Sequence, residues 1–132
     1  MRLFFVAVAT VLFFIACESN PPVSKRVEAV LRDMAEQVNK YCPMRVDSII
    51  RLESTYAVNT TFRYNYTLKF DTVKNDLQRF KKDLRVTTLN SLKTSPDAKI
   101  LRGLYATVVY HFSDTSGNYL FEMVMLPKEY TK

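Results

Sequence analysis

Apolar and polar residues alternate with different periods along this chain, and the changes of period delimit its elements. Leu3 to Ile15 are apolar apart from Thr10. That run has signal-peptide length and falls short of the roughly 18 residues a membrane-spanning helix needs. In "SKRVEAVLRDMAEQVNKYCP", Val27, Val30, Leu31, Met34, Val38 and Tyr41 share one stripe at helical spacing with charges between them, which predicts an amphipathic helix. Ser24 is its expected N-cap and Pro43 its stop. From Ile49 the period becomes two: Ile50, Leu52, Ser54 and Tyr56 alternate with Arg51, Glu53 and Thr55. Past a turn at Val58-Asn59, Phe62, Tyr64, Tyr66, Leu68 and Phe70 alternate with Thr61, Arg63, Asn65, Thr67 and Lys69, the pattern of a strand with one face buried.

A second helix is expected from about Thr72, with Val73, Leu77, Phe80, Leu84 and Leu92 on its inner face. Ser95-Pro96 restarts the chain with an N-cap and a first-turn proline, and the short segment that follows ends at Gly103, the expected left-handed stop. Leu104, Ala106, Val108, Tyr110 and Phe112 then alternate with Tyr105, Thr107, Val109 and His111. "SDTSGN" is turn chemistry, Tyr119 to Leu126 is the returning strand, and Pro127 ends it. The order α-β-β-α-β-β predicts a two-layer α+β sandwich: a four-stranded, mostly antiparallel sheet with two helices on one face. The order of strands between the two hairpins does not follow from the pattern.

Composition narrows the chemistry. The chain has 132 residues, two Gly, one His, no Trp and two Cys, one domain's worth. Two glycines exclude glycine-rich phosphate loops, and a single imidazole leaves no metal-ligand set or H-E-x-x-H motif. His111 has no partner recognisable in the sequence, so no nucleophilic triad can be named. The chain reads as a non-enzyme without metal or cofactor.

The apolar run ends in Phe14-Ile15-Ala16-Cys17, followed by the polar, proline-bearing Glu18 to Pro22. A small residue directly before the cysteine resembles the lipobox of bacterial lipoproteins, with Phe14 where that pattern usually has Leu. The resemblance implies cleavage before Cys17, a diacylglycerol on its sulfur and an acylated amine, giving a signal peptide 1–16, a tether 17–23 and a single domain 24–132. A cleaved secretory peptide and an uncleaved anchor are the alternatives. With Cys17 acylated, Cys42 is either a buried thiol or part of an intermolecular or mixed disulfide. "CPMRVDSIIRLES" with "TFRYNYTLKF" also resembles a group of small bacterial envelope proteins through Pro43, Asp47, Arg51, Leu52, Glu53, Ser54, Tyr64, Tyr66, Thr67 and Leu68. That resemblance implies a compact envelope domain and brings no activity with it.

The net charge of +6 is concentrated. Between Lys74 and Arg102, eight Lys and Arg face three Asp, so Lys74, Lys81, Lys82, Arg85 and Lys93 form a candidate surface for anionic headgroups or an acidic partner. The uncovered sheet face offers a second candidate surface in Arg51, Arg63, Lys69, Tyr105 and His111. For both, the default alternative is an ordinary solvated face. Nucleic acid is a poor partner for an exported chain. The expectation is a lipid-anchored envelope protein, in the outer membrane facing the periplasm rather than the inner membrane, that binds another envelope protein as an accessory or assembly factor. The alternative is a small-ligand module using the open sheet face or a pocket between sheet and helices.

Overall fold

The computed structural model describes residues 21–132; the signal segment 1–16 and Cys17 lie outside the described residues. Helix α1 (Val23–Asn39) is followed by a two-residue strand β1 (Met44–Arg45), the hairpin β2 (Ile50–Val58) and β3 (Thr61–Leu68), and helix α2 (Leu77–Thr94). A 3-10 turn at Pro96–Ala98, α3 (Lys99–Gly103), the hairpin β4 (Thr107–Ser113) and β5 (Tyr119–Met125), and α4 (Pro127–Tyr130) complete the chain. The sheet has five strands in the order β1-β2-β3-β4-β5. All neighbours are antiparallel except β3 and β4, whose parallel seam pairs Thr61 with Thr107 and Thr67 with Ser113.

The α+β class and both hairpins agree with the sequence pattern, while the count of four strands and two helices does not. The additional elements, β1, α3 and α4, are two, five and four residues long, too short to show a period. The helices supply Leu31, Ala35, Leu92, Ala98, Leu101 and Tyr130 to one core with Phe62, Leu68, Val108, Phe112, Phe121 and Met123 from the sheet.

Local corrections have identifiable causes. In β2 the register shifts between Leu52 and Ser54. One extra residue inverts everything after it, so Thr55 and Ala57 are buried at 2% and 6% exposure while Tyr56 faces out at 47%. Helix α1 begins at Val23 after Pro22, without a side-chain cap from Ser24; its Val30 is exposed, as is Tyr41, which lies beyond the helix end at Asn39. Helix α2 begins five residues later than expected by sequence. Asp71 first closes its own turn by accepting from the N–H groups of Val73 and Lys74, and Asp76 then caps the helix through Gln78 and Arg79; Val73 is left exposed. Ser95 caps the Pro96 turn as expected, through the N–H of Asp97. The left-handed residue near Gly103 is instead Tyr105, at φ 50°.

Helix α4 is pinned by charge. Glu129 accepts from the Leu126 N–H at 2.7 Å and from Arg85 Nη2 at 2.7 Å, and Arg85 also donates to the Val124 carbonyl. The Leu126 N–H, then Arg85, hold the Glu129 carboxyl below its ordinary 4.5. A depressed carboxylate stabilises the fold above its unfolded value, and this contribution is lost as pH falls through the folded one. Wild type is therefore expected to lose stability below about pH 4.5. Glu129→Gln is expected to be weaker at neutral pH and to lose less on acidification, as read by urea midpoints at the two pH values.

Candidate functional site

The inner face of the sheet is not fully covered. Helix α1 packs on β2 and β3, while α2 packs on β5, α3 and α4; between them runs an open groove with two hollows of about 360 and 620 Å³. Both hollows are lined by Val46, Tyr64, Tyr66 and Asp97. One wall carries Thr87, Thr88 and Ser91 of α2, and the other Met34 and Val38 of α1 with Met44 of β1. Met44, Val46 and Ile100 at the lip are 42%, 55% and 49% exposed.

The floor follows from the parallel seam. Its register sets Tyr64 beside Tyr110 and Tyr66 beside Phe112. The rings stack at centroid distances of 5.1 Å in both pairs, with interplanar angles of 8° and 14°. Phe112 continues onto Phe121 at 4.6 Å, which completes a band of aromatic rings across β3, β4 and β5. Such pairs contribute about 0.5–1.5 kcal/mol each beyond burial. The hydroxyls of Tyr64, Tyr66 and Tyr110 make no hydrogen bond to any described residue. Because no buried side-chain oxygen or nitrogen among the described residues lacks a partner, these hydroxyls open onto the groove. Burial, with a contribution from Asp97, pushes Tyr64 up to about 12; burial, reinforced by neighbouring tyrosines, raises Tyr66 and Tyr110 as well. All three remain neutral donors at physiological pH.

The two surfaces expected from sequence are arranged differently. Lys74 precedes α2 and pairs with Asp71 at 3.6 Å. Lys81 lies over the Phe121 ring, and Arg85 is the tie to α4. Lys82 and Lys93 are exposed and, at about 100° per residue, share a different side of α2. The basic cluster is thus divided between structural and solvent-facing roles, and charge reversal at Lys82 and Lys93 tests it without disturbing α4.

On the open sheet face, Arg51 pairs with Glu53 at 2.6 Å. Lys69 lines a shallow polar hollow with Arg45, Arg51 and Thr67. Tyr105 lies in the turn before β4, not on the sheet face. Arg63 and His111 converge on one carboxylate oxygen of Glu122, at 3.0 and 3.2 Å. A carboxylate only accepts, so Nδ1 of His111 donates to it, while Nε2 lies 3.3 Å from the Ser113 hydroxyl. This hydroxyl–imidazole–carboxylate line was not visible in sequence, because Glu122 arrives from β5. Acyl transfer also needs donors aimed at a developing oxyanion. Here β4 is paired on both edges, so its backbone N–H groups are committed to the ladders, and the arrangement reads as a cross-strand tie.

Cys42 has no disulfide partner among the described residues and is partly buried, its sulfur 3.5 Å from the Val38 carbonyl. Burial, then the nearby Glu53 carboxylate, pushes the thiol up, which disfavours thiolate chemistry. Among the described residues no cluster of His, Cys, Asp and Glu could hold a metal ion, and no helix is long and apolar enough to cross a membrane.

Three solved structures share this architecture. A Pseudomonas aeruginosa crystal structure, titled as a secreted protein, superposes with TM-score 0.71 at 9% identity, covering 84% of this chain and 98% of that one. EpsS, the pilotin of the Vibrio vulnificus type 2 secretion system, superposes with TM-score 0.70 at 7% identity, covering 83% and 96%. AspS, the type II secretion pilotin of Vibrio cholerae, gives 0.64 at 8% identity, covering 81% and 94%. At these identities the likeness is one of fold. No curated protein matches at the sequence level. A family profile does match, over residues 25–121, and on that extent the chain belongs to the family described as Domain of unknown function (DUF8479).

Proposed function

We propose that this chain is a lipid-anchored, non-catalytic accessory or assembly protein of the bacterial envelope, which holds a segment of another envelope protein in the groove between α1 and α2. The observation that carries the reading is the groove itself: an aromatic floor with three unpaired hydroxyls beneath an exposed apolar lip. Apolar surface rimmed by polar groups marks binding sites, and tyrosine is enriched at their centres. The pilotin folds of EpsS and AspS support an accessory role in a secretion machine. The Ala16-Cys17 junction supports lipid anchoring, with acyl chains contributing about 0.8 kcal/mol per buried CH₂, and Glu18, in place of the Asp that acts as an inner-membrane retention signal in some bacteria, favours the outer membrane facing the periplasm.

Two measurements test this. The intact mass of protein extracted from membranes is expected to show a chain starting at Cys17 with added acyl mass and one alkylatable thiol; an unlipidated chain would remove the anchor. A photo-crosslinking residue at Thr87, in the groove, is expected to capture an envelope protein, whereas the same residue at Val86, exposed on α2 and outside the groove lining, is expected to capture much less. Equal capture from both positions would contradict the groove reading. Thr87→Trp, which fills the groove from an exposed helix position, is expected to abolish capture while changing stability by less than about 0.5 kcal/mol, checked by thermal melting.

A further inference from the structure

The groove carries charge of one sign only. Asp97 lines both of its hollows, and no other charged side chain lines either, although the chain as a whole carries +6. The lysines nearest in sequence, Lys93 and Lys99, are outside the lining. Asp97 has no ion-pair partner among the described residues. Its place is fixed from the backbone: Pro96 opens the turn, and the Asp97 N–H is held by Ser95 Oγ at 3.2 Å, leaving the carboxylate without a capping duty.

The floor and wall also select what can lie there. An acyl chain would cover the hydroxyls of Tyr64, Tyr66 and Tyr110 without offering them a partner, and desolvating an unpaired hydroxyl is costly. A polypeptide offers both apolar side chains and carbonyl oxygens for those donors. An acidic segment would meet Asp97 with like charge and gain nothing from the groove's electrostatics.

Resting on the groove reading above, we propose that Asp97 is the specificity-determining residue of the site. The occupant is an apolar polypeptide segment that sets a Lys or Arg against Asp97 while its apolar side chains lie on the tyrosine floor. An Arg can bind the carboxylate through two parallel hydrogen bonds, which would fix the direction of the segment along the groove.

The test pans short random displayed peptides against the full chain in detergent micelles, with Thr87→Trp, Asp97→Asn and Asp97→Lys as parallel baits whose folding is checked by thermal melting. Peptides that Thr87→Trp blocks are expected to carry Lys or Arg among Leu, Ile, Phe and Met. They are expected to bind Asp97→Asn about tenfold more weakly, a reduction in keeping with a charge-assisted contact at an exposed carboxylate, and Asp97→Lys more weakly still. Changing the peptide's basic residue to Glu is expected to restore binding to Asp97→Lys. If groove-blocked peptides bind Asp97→Lys as well as wild type, the role of Asp97 is overturned and the groove reading stands. If Thr87→Trp blocks none of the recovered peptides, or blocks only a fluorescent fatty acid, both fall.

Discussion

Phe62→Ala is expected to lower the unfolding free energy by about 3–5 kcal/mol, while Tyr56→Ala, six residues earlier on the partner strand, lowers it by less than about 1 kcal/mol. Phe62 is fully buried at the centre of the sheet and meets Tyr64 edge-on at 4.9 Å. Its removal takes away both transfer energy and packing, and leaves a cavity that surrounding strands cannot close. Tyr56 sits on the opposite face, where its visible partner is the Arg63 guanidinium 5.8 Å above its ring. Against a total stability of about 5–15 kcal/mol for a domain of this kind, the first substitution removes a large fraction and the second very little. Urea midpoints of the two variants check the register shift directly. Comparable losses would mean that Tyr56 and not Ala57 faces the core.

Asn39→Leu is expected to cost about 1–3 kcal/mol, although Asn39 is exposed overall and a leucine is the better helix former. Strand β1 pairs only with Arg51 and Leu52, so the outer edge of β2 beyond the register shift has no strand beside it. The Asn39 side chain serves as one. Its Nδ2 donates to the Thr55 carbonyl at 2.8 Å, and its Oδ1 accepts from the Thr55 N–H at 2.7 Å. The Thr55 hydroxyl, itself buried, donates to the Ala35 carbonyl at 3.0 Å, fastening α1 to the same point. Leucine leaves both backbone groups at Thr55 unpaired in a partly buried site. A fall of several degrees in melting temperature follows, at about 4–8 °C per kcal/mol for a domain of up to a hundred residues. An unchanged melting temperature would show that water replaces the amide without loss.

The alternation of β3 was legible in full: Phe62 and Leu68 are buried and Thr61 to Thr67 present their polar partners outward. The alternation of β2 was legible only as far as Leu52. Its outward half reads as a continuous period-two run because the bulge has no glycine to signal it. The parallel seam was beyond reach, since hydrophobic period fixes faces and not neighbours. The groove has a different history. Tyr64, Tyr66 and Tyr110 were assigned to the core stripe by period, and their rings do belong to it. Three tyrosines in place of Phe or Leu on an inner face were nevertheless a signal, because a buried tyrosine hydroxyl needs a partner. Tyr130, which donates to the Ala106 and Leu101 carbonyls, shows how the fold satisfies such a group when nothing is meant to reach it. The arrangement of the basic residues was not legible for a different reason: sequence spacing places Lys81, Lys82, Arg85 and Lys93 on one helix but does not reveal tertiary partners such as Phe121 beneath Lys81 and Glu129 beside Arg85.

The parallel seam has a consequence for how the chain acquires its structure. Each hairpin closes over a short turn, so β2–β3 and β4–β5 can form on the microsecond scale. Joining them requires Thr61 to find Thr107 with α2 and α3 intervening, a contact of long sequence separation that carries loop-closure entropy and slows the final step. Until the seam closes, β3 and β4 each present an unpaired inner edge, the kind of template to which foreign strands add. A chain in that condition is most vulnerable along the same strands that later form the floor of the groove.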